Sequence, residues 1–150
     1  MTKPLEITKW DRRFLTMATL VGAWSKDPST KVGCVISREN RVISIGFNGY
    51  PHGLKDTHDS RELKYAKTIH AEINAILHAN TDLTGCYLYT SGLPPCSRCA
   101  GVIIQSNIKR IYTTVSNGEA LTRWYKETMI SERMFNEAGI QLYSEIRSCQ

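Results

Sequence analysis

Residues 69–99 read IHAEINAILHANTDLTGCYLYTSGLPPCSRC. Three patterns succeed one another in this stretch. From about Ile69 to Ala79, the apolar residues Ile69, Ile73, Ile76 and Leu77 recur at helical spacing, which predicts a helix with that face turned inward. Cys86 to Thr90 is a short run that reads as a buried strand. Pro94-Pro95 then interrupts the chain, and Cys96 to Ser106 reads as a second helix. A helix–strand–helix unit of this kind buries its apolar faces only against a sheet.

The flanking sequence supplies that sheet. Upstream, a helix is expected near residues 8–25. Thr8 with Asp11 three residues later resembles a capping box, and Trp10, Phe14, Met17, Ala18, Val21 and Trp24 form an apolar face. Asp27-Pro28-Ser29 is the expected stop. Val32 to Ser37 and Arg41 to Phe47 are rich in β-branched residues and read as a hairpin turning at Arg38-Glu39-Asn40. Asn48 to about Lys67 is polar, contains Gly49, Pro51 and Gly53, and reads as one long loop of the kind that often carries function. Downstream, Arg110 to Val115 is a strand, Glu119 to Ala138 a helical segment stopped by Gly139, and Ile140 to Ser144 a last strand. The order α-β-β-α-β-α-β-α-β predicts an α/β fold with a mixed five-stranded sheet and helices on its faces. A helical crossover lets the last two strands run parallel. No repeat, linker or low-complexity tract divides residues 1–150, so a single domain is expected.

Bulk composition excludes several classes. The chain has 150 residues, 41% hydrophobic and 22% charged, which is ordinary globular usage. The formal net charge of +5 suits an anionic partner without choosing between a nucleotide and a nucleic acid. No apolar run approaches the roughly 18 residues of a membrane span, and Met1 to Glu6 lacks a signal-peptide core. A cytosolic protein with no membrane partner is expected. The five cysteines, Cys34, Cys86, Cys96, Cys99 and Cys149, are odd in number. In a reducing compartment, a close pair points to metal or redox chemistry before a disulfide.

His70-Ala71-Glu72 opens one helix and Pro95-Cys96-Ser97-Arg98-Cys99 opens the next. Cys96 and Cys99, three apart in a first turn, share a face where helix polarity favours thiolates. With His70 they make three zinc ligands and leave a fourth position for water, the composition of a catalytic site and not of a closed structural one. Zinc in such a site lowers the pKa of its water to about 7. Glu72, two residues after a ligand, is placed to move protons instead of binding metal. The pattern H-x-E…P-C-x-x-C is a known zinc-deaminase signature. A thioredoxin-like redox pair leaves His70 and Glu72 unexplained. A four-cysteine site lacks a second close pair.

On these motifs the chain resembles the cytidine/deoxycytidylate deaminase superfamily, and within it the deoxycytidylate (dCMP) deaminase branch. That narrower likeness rests on Ser25-Lys26-Asp27-Pro28-Ser29-Thr30-Lys31-Val32-Gly33 and Gly46-Phe47-Asn48-Gly49-Tyr50-Pro51-His52-Gly53. It also rests on His70-Ala71-Glu72-Ile73-Asn74-Ala75-Ile76 and Met134-Phe135-Asn136-Glu137-Ala138-Gly139-Ile140. The resemblance implies a three-layer α/β/α fold and a homo-oligomer, commonly a hexamer. It implies one catalytic Zn2+ on His70, Cys96 and Cys99, with Glu72 as proton shuttle. It implies that Asn48 contacts the nucleotide, that the backbone around Ala71 holds the pyrimidine edge, and that dCMP is turned into dUMP, which supplies thymidylate synthesis. Many relatives respond to dCTP and dTTP, with Mg2+ accompanying the effector. The stretch from Ser116 to Lys126 departs from the acidic, Tyr-containing segment of the animal enzymes.

Other residues are assigned by chemistry. Arg123 is a candidate partner for a 5′-phosphate, with Trp124 or Tyr125 covering the nucleotide, against helix packing with solvated charge. Lys31, with Ser29 and Thr30, at the turn into the first strand, is a candidate for ribose or phosphate contact, against an ordinary turn and strand start. His52 and His58 could hold a second zinc, or belong to a loop over the substrate. Cys34 and Cys86 read as core, His78 as surface, and Cys149 as a tail residue. Two rivals stay open. One is another substrate of the same chemistry (cytidine, guanine, or adenosine in tRNA); a tRNA enzyme needs a broad basic surface and strong salt dependence. The other is a catalytically silent zinc protein of the same fold.

Overall fold

The structure is a computed structural model and describes residues 6–55, 59–115 and 118–147. Five strands form one sheet in the order β2-β1-β3-β4-β5. They are β1 (Gly33–Arg38), β2 (Arg41–Phe47), β3 (Tyr87–Gly92), β4 (Arg110–Val115) and β5 (Gln141–Ile146). β1 runs antiparallel to both β2 and β3, while β3, β4 and β5 run parallel. The mixed α/β sheet and the parallel last pair are as expected from the sequence.

Alternation along the strands splits the core in two. Ile45, Val35, Tyr89, Tyr112 and Tyr143 are register partners across all five strands. This row faces α1 (Lys9–Gly22), whose Phe14, Leu15 and Ala18 pack on it. The opposite face carries Cys34, Ile36, Leu88 and Ile111, covered by α3 (Ala71–Ala79), α4 (Ser97–Gln105) and α6 (Tyr125–Glu137). Helices on both faces make three layers. Among the described residues, no helix is long and apolar enough to cross a membrane.

α1 begins as the sequence predicts. The Thr8 hydroxyl accepts from Asp11 N–H at 3.2 Å while Asp11 accepts from Thr8 N–H at 2.8 Å. Its second carboxylate oxygen takes the Tyr89 hydroxyl at 2.7 Å, which ties the helix start to β3. The helix ends at Gly22, earlier than residue 25, because its last turn docks on β1: a Cβ on Gly33 would collide with the Ala18 carbonyl. Trp24 thus falls off the buried face and is 52% exposed, edge-on to Phe47.

Three further expectations are corrected. The long loop contains α2 (Arg61–Lys67), capped by Ser60 Oγ, which accepts from Leu63 N–H at 3.2 Å. None of its residues is buried, so apolar periodicity leaves no mark there. The fully buried residues of α3 are Ala71, Glu72 and Ala75; Ile73 and Ile76 pack against the core as expected, but Leu77 is 61% exposed. α3 lies so close to β2 that a Cβ on Gly46 would sit 2.5 Å from Ala75 N, and only small residues fit that seam. The segment 119–138 is two helices, α5 (Gly118–Arg123) and α6, broken at Trp124.

Candidate active site

α3 and α4 start side by side, beyond the carboxyl end of β3 and beside the entry to β1. Such a place, where the chain direction across the sheet changes, is a common ligand site in α/β folds. His70 is the N-cap of α3 in extended conformation, φ −72° and ψ 155°. The residue before it is clamped: Gly49 N–H donates to the Ile69 carbonyl at 3.1 Å and Ile69 N–H to the Gly49 carbonyl at 2.9 Å. Cys96 is the N-cap of α4, and Cys99 lies in its first turn. Neither N-cap side chain makes a capping bond; both are turned to each other instead.

His70 Nδ1 is 3.4 Å from Cys96 Sγ and 3.4 Å from Cys99 Sγ. The three ligand atoms lie within 4.8 Å of one another, and among the described residues this is the one His/Cys/Asp/Glu group so arranged. Tetrahedral zinc, with bonds of about 2.0–2.3 Å, separates its nitrogen and sulfur ligands by roughly 3.5 Å. The donor set and its spacing fit that ion. The thiols are strongly coupled. The hydrogen bond from Cys99, reinforced by His70, pulls Cys96 down to about 4. The same bond, with burial, pushes Cys99 far up. Without metal, the pair therefore shares one proton.

Glu72, in the first turn of α3, is 3% exposed, and its carboxylate accepts from Cys99 Sγ at 3.6 Å. Burial raises its pKa, and the charge of His70 works against the rise. A buried carboxylate with a raised pKa beside a metal site is suited to taking and returning protons.

His70, Glu72 and Cys96 line a pocket of about 650 Å³ including its mouth, with Cys99 buried behind them. Its lining includes Thr30, Asn48, Ala71 and Trp124 from the sequence-based set. Asn48 is buried and doubly engaged: Oδ1 accepts from Val32 N–H at 2.9 Å and Nδ2 donates to the Thr30 carbonyl at 2.9 Å. At most one N–H of that amide is left for a ligand. Trp124 stands edge-on to the His70 ring at 6.2 Å and 5.4 Å from the Tyr65 ring. Arg123 is exposed at the rim, 3.4 Å from Thr30 Oγ1. Lys31 is not brought to the pocket. It is exposed, and its ammonium donates to the Ser25 carbonyl.

A family model for the cytidine and deoxycytidylate deaminase zinc-binding region matches residues 8–115. The chain belongs to this deaminase family. A deaminase of the luxG 3′ region of Aliivibrio fischeri is 50% identical over 138 residues, covering 91% of this chain and 93% of that one. Human deoxycytidylate deaminase is 34% identical over 151 aligned positions, covering 94% and 82%. In fold, the chain is similar to the cyanophage S-TIM5 dCMP deaminase crystallised with dCMP and dUMP. There the TM-score is 0.74 at 20% identity, covering 96% of this chain and 99% of that one. The family and the His/Cys/Cys cluster together make Zn2+ the metal of this deaminase.

The remaining sequence candidates separate cleanly. His52 is exposed, His58 lies outside the described residues, and no second metal-capable group occurs among the described residues. Cys34 and Cys86 are fully buried, His78 is exposed, and Cys149 lies outside the described residues. Ser29 joins Thr30 in the lining, and the pocket also has residues that sequence reasoning missed: Asp27, Lys64, Tyr65, Thr68 and Thr128. Asp27 Oδ1 accepts from Ser29 N–H at 2.8 Å, Thr30 N–H at 3.0 Å and Lys64 Nζ at 2.8 Å. The Asp-Pro-Ser-Thr run carried the signal for that turn, since Asp bonds the backbone two and three residues on.

Proposed function

We propose that this deaminase converts dCMP and water to dUMP and ammonia, and that residues 1–150 act as one deaminase domain. The observation that carries the reading is a pocket that meets a His/Cys/Cys cluster and a buried Glu72, with cationic side chains at its rim. The relatives named for deoxycytidylate deamination support it.

His70, Cys96 and Cys99 would hold the zinc, one per chain, which when bound supplies the Lewis acidity that lets water give up a proton near neutral pH. Glu72 takes that proton as water adds to C4 of the pyrimidine. It delivers the proton to the ring nitrogen and then to the departing amine, so that ammonia leaves and C4 becomes a carbonyl. The Ala71 N–H, in the first turn of α3 where helix donors lack partners, holds the pyrimidine edge. Trp124 closes over the ring from the His70 side. Asn48 fixes Thr30 and Val32 and offers its remaining N–H to the sugar, and Arg123 reaches the 5′-phosphate.

The test is ammonia release by zinc-loaded protein offered dCMP, CMP, deoxycytidine and dCTP side by side. A clear preference for dCMP is expected. No release from any of the four, with zinc bound and with dCTP and Mg2+ also supplied alongside dCMP, overturns the reading in favour of a silent zinc protein. Release from cytidine, guanine or tRNA adenosine instead overturns the substrate. The same reading includes a cytosolic homo-oligomer, with a hexamer the expected size in sedimentation, and dCTP and dTTP as effectors with Mg2+.

A further inference from the structure

α2 is an element without a core function. It has seven residues and none is buried. Polar and aromatic contacts hold it: Lys64 to Asp27 at 2.8 Å, Lys67 to Asp59 at 2.9 Å, and Tyr65 against Trp124. Two of its side chains, Lys64 and Tyr65, line the pocket. Lys64 is the one lysine or arginine in that lining.

Its position is specific. Lys64 Nζ lies 2.8 Å from Asp27 Oδ1 and 3.5 Å from Ser29 Oγ. The same Asp27 oxygen takes the N–H groups of Ser29 and Thr30, so the ammonium is fixed to the turn that carries the two hydroxyls. Arg123 approaches Thr30 Oγ1 at 3.4 Å. The Ser29-Thr30 turn is therefore approached by two cations, Lys64 at Ser29 and Arg123 at Thr30, in the pocket that also holds Glu72. A nucleoside monophosphate carries a neutral base and a phosphate of nearly two negative charges, and the phosphate is the part that such cations suit. Lysine has three N–H donors, so Lys64 can keep Asp27 and still donate to a phosphate oxygen.

Building on the reaction proposed above, we propose that Lys64 is the specificity-determining residue that makes this pocket select a 5′-phosphorylated pyrimidine deoxynucleoside over the free nucleoside. Lys67, one turn on, is committed to Asp59 and the Tyr50 ring and takes no part. Lys31 is held away on Ser25.

The test compares wild type, Lys64→Met and Lys64→Arg as zinc-loaded proteins. Two quantities are read: the ratio of kcat/KM for dCMP to that for deoxycytidine, and calorimetric affinity for dUMP relative to deoxyuridine. A charge-assisted hydrogen bond of ordinary strength makes Lys64→Met lower both ratios at least about tenfold. The loss falls mainly on the dCMP KM, and Lys64→Arg recovers part of it. If Lys64→Met depresses the nucleotide and the nucleoside equally, Lys64 only props the loop and the proposal fails. Unchanged ratios overturn it as well. Should wild type release no ammonia from dCMP, with dCTP and Mg2+ also supplied, the reaction assigned above fails on its own. The dUMP-to-deoxyuridine affinity ratio still decides for or against Lys64.

Discussion

In the proposed reaction the chemistry turns on Glu72. It sits buried against Cys99 with its pKa raised by desolvation. Its task alternates between accepting and donating a proton, which an amide cannot do. Glu72→Gln is expected to keep zinc, measured by elemental analysis, while kcat falls at least about a hundredfold, the low end of general acid–base contributions. Retained turnover in a zinc-replete variant would sink the proton-shuttle role. His70, Glu72, Cys96 and Cys99 were all legible in the sequence, because ligand chemistry fixes residue type and a helical turn fixes spacing. Asp27 and Lys64 were not. They are paired across 37 positions by a bond that no local pattern records. Asp27 also offers a pH argument. Burial acts to raise its pKa, but the bonds from Lys64, Thr30 and Ser29 outweigh it and hold the group below its ordinary 3.8. A depressed folded-state pKa stabilises above the unfolded value and is lost as pH falls through the folded one. The Ser29-Thr30 turn should therefore keep its geometry across pH 5–8. Over that range dUMP affinity is expected to rise with pH as the phosphate gains its second charge, with a pKa of about 6. Deoxyuridine affinity titrated in parallel checks this, since an equal rise for both ligands would place the titrating group in the protein.

Elements show where periodicity informs and where it misleads. The strands and α1 were read correctly to within a few residues because β-branched and aromatic runs mark the strands and large apolar side chains mark the buried face of α1. The α3 face was read correctly at Ile73 and Ile76, which pack against the core, and wrongly at Leu77 for a definite reason. Its buried side is small, Ala71 and Ala75 around Glu72, because Gly46 lets β2 approach, and hydrophobicity scales give alanine little weight beside Leu77. The break at Trp124 was also missed, since the helical pattern runs through it; the side chain turns toward His70 and Tyr65, and the backbone follows. The seam between α3 and β2 leads to a prediction. Gly46→Ala adds a methyl group 2.5 Å from Ala75 N and closer still to the Ala71 carbonyl, against backbone that cannot yield. Overpacking of this kind costs about 1–3 kcal/mol. Because α3 carries both His70 and Glu72, the variant should lose activity beyond its loss of stability. Thermal unfolding and kcat measured well below the melting temperature separate the two effects. An unshifted melting temperature would show that the seam is looser than the distances state.

At the scale of the molecule, the architecture was recoverable because strand order and crossover rules admit few sheets for this element sequence. The pocket wall was harder to foresee, since it joins α2, the Asp27 turn and Trp124, which share no sequence pattern. The metal connects these parts with overall stability. His70 enters through α3 and the cysteines through α4, so zinc ties two helices of one layer, and its binding free energy adds to that of folding. With free zinc at a thousand times its Kd, linkage contributes about 4 kcal/mol. For a chain of this size that corresponds to about 8–16 °C in Tm. Chelation should lower Tm by that order, and zinc but not Mg2+ should restore it. The protonation states make this binding pH-dependent in a specific way. Cys96 at about 4 is already thiolate at neutral pH, whereas the strongly raised Cys99 must lose its proton to ligate. His70, raised by its bond to Cys96, gives up a second proton to the extent that it is charged. Zinc titration into the metal-free protein, repeated in buffers of different ionisation enthalpy, should show release of at least one proton at pH 7, from Cys99, with His70 and the zinc-bound water adding to it. Affinity should weaken toward acid as protons compete. Release of no proton would mean that both thiols are ionised before the metal arrives, contrary to the shared proton implied by the coupling of Cys96 and Cys99.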